Sequence, residues 1–106
     1  MSDNLVVSIV RFQSRLSDED VQALYKQRAE RYRQLPGLVE KIYLQFRETG
    51  EAGAIYVWES EEALRRFRES ELAGSISDVY QVEGPPSVEL ADVCLVVHQA
   101  RPRVTQ

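Results

Sequence analysis

The sequence predicts an α+β protein of the ferredoxin-like type, on three observations. Short stretches rich in β-branched residues or alternating in polarity read as strands. Two stretches between them carry their apolar residues at helical spacing. The resulting order is β-α-β-β-α-β with an extra strand at the C-terminal end, the split βαβ arrangement. In such a protein two helices cover one face of a single antiparallel sheet.

The elements follow in order. Residues 5–12, LVVSIVRF, fit a first strand. Ser17 is placed to cap the helix SDEDVQALYKQRAERYRQL, with Asp20 three residues on. Its apolar stripe is Val21, Leu24, Tyr25, Ala29, Tyr32 and Leu35, and Pro36-Gly37 ends it. A second strand over 38–47 alternates Leu38, Ile42, Leu44 and Phe46 with Val39, Lys41, Tyr43, Gln45 and Arg47. The turn ETGEAG leads to a third strand, AIYVWE. Ser60 caps a second helix, EEALRRFRES, whose core residues are Ala63, Leu64 and Phe67. A short fourth strand at about 78–83 is expected to stop at GPP, since proline cannot donate to a ladder. A final strand is expected from Val88 to His98, with residues 99–106 a frayed tail and residues 1–106 one domain.

Composition narrows the function. Of the 106 residues 43% are hydrophobic and 28% charged, and no apolar run approaches the roughly 20 residues that span a bilayer. The opening MSDNLVVSIVRF lacks a basic start and a small-residue cleavage site, so a cytoplasmic protein with no membrane partner is expected. The single cysteine, Cys94, lies in VCLVV and reads as a small buried hydrophobe. A net charge of −4 argues against nucleic acid, and the clusters around Arg28 and Arg65 read as solvated helix faces. With both helices on one side, the bare sheet face covers roughly 400 Å², about the size at which an apolar patch implies a partner. A second copy of the chain is the simplest cover.

Three segments carry a family likeness: LPGLVEKIYLQF, EAGAIYVWESEEALRRF and DVYQVEGPP. Over about residues 5–98 the chain resembles the dimeric α/β-barrel superfamily of antibiotic-biosynthesis-type monooxygenases, and most closely its YdhR-like members. The resemblance implies a homodimer whose two sheets close into a barrel, with a pocket in each protomer between sheet and helices. The superfamily also holds haem-degrading enzymes, whose pattern uses an Asn in the first strand, a Trp in the second helix and an iron-ligating His about ten residues later. Here those last two positions fall on Phe67 and Ser77, and Asn4 precedes the strand, so haem degradation is not expected.

The residue inventory expects no cofactor and no metal. The five glycines form no G-x-G-x-x-G and no phosphate loop, and one His with one Cys cannot make a usual zinc site. The chemistry that the resemblance implies is cofactor-independent oxygenation of a small aromatic compound, in which the substrate supplies the electrons. Tyr43, Tyr56, Trp58, Phe67 and Tyr80 are the expected pocket residues, because stacked rings suit a flat ligand. His98, the one side chain that ordinarily titrates near neutrality, and Tyr56 are the catalytic candidates. The alternative is that these rings are core and interface, in a non-catalytic ligand-binding or structural dimer.

Overall fold

The computed structural model describes residues 4–98. Along the chain run β1 (Val6–Ser14), α1 (Asp18–Arg33), β2 (Leu38–Gln45), β3 (Ala52–Trp58), α2 (Glu61–Arg68), the single turns α3 (Glu71–Gly74) and α4 (Ile76–Val79), and β4 (Val82–Asp92). The strands form one antiparallel sheet in the order β2-β3-β1-β4, which is the ferredoxin-like order. Both expected caps are present: Ser17 accepts from the Asp20 amide at 3.1 Å and Ser60 from the Ala63 amide at 3.1 Å.

Alternation on the two central strands sorts the sheet into two faces. Val6, Ser8 and Phe12 of β1 and Ala52, Ala54, Tyr56 and Trp58 of β3 are buried against the helices. Their packing partners there include Val21 and Tyr32 of α1 and Leu64 and Phe67 of α2. On the opposite face Val7 pairs with Val57 and Ile9 with Ile55, all part-exposed, and Ile42 opposite Ile55 is 43% exposed. The helix-free face is therefore apolar at its centre.

Three sequence expectations are corrected here. First, the described residues hold no extra strand: the two C-terminal strands expected on either side of GPP are one edge strand, β4, and residues 76–79 are helical. The prolines survive because β4 is an edge and bulges there: Arg11 pairs with Ser87 and Gln13 with Glu83, so Gly84, Pro85 and Pro86 swing out opposite Phe12 alone. Second, simple alternation fails at the start of β2. Leu38 pairs with Trp58 and Glu40 with Val57, which leaves Val39 as an extra residue. That bulge turns Leu38, Lys41 and Tyr43 to the same face, towards the helices. Third, Cys94 is exposed. After the Val93 amide donates to the Leu5 carbonyl at 3.0 Å the chain leaves the sheet, and Leu95 and Val97 stand 79% and 81% exposed. The run that reads as a buried strand pairs with no strand among the described residues. The tail at 99–106 lies outside the described residues.

Candidate functional site

Trp58 belongs to the core. It is 0% exposed, lies parallel to Tyr56 at 5.7 Å between ring centres, and contacts Phe67 at 5.2 Å. Its only polar atom is satisfied, since Nε1–H donates to Ser8 Oγ at 3.2 Å. It faces no open space. Phe67 and Tyr56 do: with Phe12, Ile76, Val88 and Leu90 they wall an apolar cleft of about 170 Å³ between the sheet and the short helices. Arg68 and Ser77 stand at its polar edge.

Behind Tyr56 lies a second group of residues, which share with the cleft only Val10, Phe12, Tyr56 and Ile76. α1 contributes Tyr25, Arg28 and Tyr32, spaced i, i+3 and i+7 and so on one side of the helix. β2 contributes Lys41 and Tyr43, delivered to this face by the bulge at Val39. Tyr80 closes the group from the loop after α4. Its carbonyl accepts from the Ser14 hydroxyl at 2.6 Å, and the left-handed backbone of Gln81 (φ 49°) turns the chain into β4 behind it.

The bonding within this group is uneven. The Tyr25 hydroxyl is fully used, donating to the Leu44 carbonyl at 3.0 Å and accepting from the Gly53 amide at 3.1 Å, so it ties β2 to β3. Tyr43 stacks on Tyr25 at 4.2 Å, yet its buried hydroxyl has no partner. Arg28 is only 6% exposed; Nη2 donates to Ser75 Oγ at 3.0 Å, while Nε is buried and unpartnered. Among the described residues no carboxylate pairs with Arg28 or with Lys41. The Lys41 ammonium nitrogen instead sits 3.2 Å from the Tyr32 ring centre, 4.3 Å from Tyr43 and 4.5 Å from Tyr56.

Burial, and after it the Arg28 guanidinium, lowers the Lys41 amine to about 6. Three ring faces pull the other way, because cation–π attraction favours the ammonium. Lys41 stays well below the ordinary lysine range. Burial also raises the phenols of Tyr43 and Tyr56 and pushes Tyr80 up to about 12, so all three remain protonated hydrogen-bond donors near neutrality.

Of the residues singled out in the sequence, the structure brings Tyr43, Tyr56 and Tyr80 into the inner group and Tyr56 and Phe67 into the cleft wall. It leaves Trp58 in the core and His98 exposed, six residues past the end of β4. Arg28, expected on a solvated helix face, is corrected to a buried residue. Its position in the run 21, 25, 28, 32 was the available signal, since those four residues share the core side of α1. Lys41 alternates with Tyr43 in the sequence, and that pairing was the signal for it. No three His, Cys, Asp or Glu side chains gather as metal ligands among the described residues, and no helix there is long and apolar enough to cross a membrane.

Sheet order and helix placement define an α+β protein of the ferredoxin-like fold. Residues 7–82 match the family model described as "Putative mono-oxygenase ydhR", and the chain belongs to that family. Solved structures share the fold. A protein of unknown function from Nitrosomonas europaea, NE2512, superposes with a TM-score of 0.72 at 14% identity, over 92% of this chain and 96% of that one. The ActVA-Orf6 monooxygenase of Streptomyces coelicolor, in complex with nanaomycin D, gives 0.68 at 18% identity over 90% and 92%. SnoaB of Streptomyces nogalater, a cofactor-independent oxygenase, gives 0.63 at 18% identity over 96% and 100%. No curated protein matches the chain.

Proposed function

We propose that the chain is a homodimeric, cofactor-independent monooxygenase of a small, flat phenolic compound, acting as one cytoplasmic domain. The observation that carries this reading is the apolar cleft, with aromatic rings for walls and the protonated Tyr56 phenol at its inner end. Two structural relatives are described as a monooxygenase in complex with nanaomycin D and as a cofactor-independent oxygenase, which supports the same chemistry on this fold. The substrate phenol loses its proton to solvent at the open side, and its carbanion passes an electron to dioxygen. Recombination gives a peroxide; loss of water then leaves a carbonyl, one oxygen atom going to product and one to water. Tyr56 does not serve as the base, because burial keeps it protonated.

The dimer rests on what one chain leaves unfinished. The cleft is smaller than the usual ligand pocket of about 300 Å³ or more, and its outer wall is half-exposed Val88 and Leu90. The apolar sheet face around Ile9 and Ile55, and the exposed run through Leu95 and Val97, also need cover. A second copy would supply all three.

Oxygen uptake with anthrone in the presence of a chelator tests the activity. Uptake above the protein-free rate is expected, falling at least tenfold in Val88→Trp, where an indole fills the cleft from an exposed position. Anthrone binding without uptake would favour the non-catalytic alternative. A 12.2 kDa species in sedimentation at micromolar concentration would remove the dimer.

A further inference from the structure

On the side of the inner group away from the cleft, a hollow of about 360 Å³ opens between α1 and β2. Tyr32, Lys41 and Tyr43 line it, together with Arg33 and Glu40. We infer that Lys41 is a second reactive centre, an amine that condenses reversibly with small carbonyl compounds entering through this hollow. This goes beyond oxygenation, and it stands or falls separately from it.

The geometry supplies what imine chemistry needs. A nucleophilic lysine requires a desolvated amine, no carboxylate to hold it as an ion pair, and a nearby cation to disfavour its protonated form. Lys41 has all three: ring faces of Tyr32, Tyr43 and Tyr56 around the nitrogen, no acidic partner among the described residues, and the Arg28 charge as the second cause of its lowered basicity. The other groups facing it are phenols, Tyr25 and Tyr80 included, and burial keeps these protonated. In the reaction the nitrogen lone pair attacks the carbonyl carbon, a C–N bond forms and the carbonyl oxygen takes a proton. Loss of water then gives the imine, and hydrolysis reverses every step without any oxidant or reductant. The Tyr43 ring lies 4.3 Å from the amine, and its buried hydroxyl is unpartnered. Two buried polar groups left open, that hydroxyl and Arg28 Nε, are otherwise unexplained in a well-packed interior.

The inherited control is Lys26, exposed on α1, the only other lysine in the chain. The full-length protein, incubated with pyruvate and cyanoborohydride at pH 7 and mapped by peptide mass, should carry the reduced adduct on Lys41 at least tenfold above Lys26. Trapping at Lys41 should already be strong at pH 7 and gain little above it. In Arg28→Gln, checked for an unchanged fold by circular dichroism, the trapping profile should move to higher pH, because a charge that holds the amine down has gone; a merely structural arginine would leave the profile in place. Equal labelling of Lys26 and Lys41, or labelling of Lys41 that begins only in strong alkali, would overturn the inference.

Discussion

Trp58 and Lys41 stand on the same helix-facing side of the sheet, Trp58 opposite Leu38 and Lys41 opposite Tyr56, with Tyr56 touching both. Around Trp58 every demand is met: the indole is sealed from water, its N–H is bonded to Ser8, and aromatic and aliphatic side chains fill the remaining space. Around Lys41 an amine and a guanidinium are buried without a carboxylate, and a hydroxyl is buried without a partner. Aromatic rings are equally dense in both places. What separates structural interior from candidate site is the satisfaction of polar groups, because an unmet buried group costs stability that packing alone gives no reason to retain.

The largest test removes the structural half. Trp58→Ala should lower the free energy of unfolding by about 3–5 kcal/mol, read as a shift of the urea midpoint at constant slope, since no neighbour can fill the void. Trp58→Phe should cost about 1–3 kcal/mol and leave anthrone affinity alone. A tenfold weaker affinity at an unchanged midpoint would put Trp58 into the site and erase the distinction.

Lys41→Met should act in the opposite direction. Because the folded-state amine titrates near 6 rather than 10.5, the unfolded chain binds more protons between those values, and stability rises with pH across that window. Removing the amine removes the penalty. A gain of about 1–3 kcal/mol at pH 7 is expected after allowing for the ring faces, shrinking towards zero above pH 10.5. A loss of stability at pH 7 would mean that the rings hold an ammonium after all.

The finest comparison uses one hydroxyl from each region. Ser8→Ala strands the Trp58 N–H in the core and should cost about 1–3 kcal/mol. Tyr43→Phe deletes a hydroxyl that already lacks a partner, and the midpoint should stay within about 0.5 kcal/mol or rise slightly. Equal losses for the two would show that Tyr43 is satisfied in solution and does not belong to an open site.

The oxygenase reading and the family came from segments whose residue order is itself the signal, such as LPGLVEKIYLQF. The inner group was only partly legible. Tyr43, Tyr56 and Tyr80 stand out by type, whereas Arg28 and Lys41 look like surface charges until their neighbours in space are known. Periodicity reports which residues share a side of an element, but not how much water reaches that side.

By itself the sequence determined the helices with their serine caps, the two central strands, the ferredoxin-like order and the family, because each depends on residues near one another along the chain. Tertiary structure decided the rest. The bulge at Val39 turned Lys41 inward, the edge position of β4 let Gly84, Pro85 and Pro86 interrupt a strand without ending it, and the lack of a paired strand beyond Asp92 among the described residues left an apolar run bare. Pairing register and burial arise from contacts between distant segments, and a local pattern cannot encode a contact whose other half lies dozens of residues away.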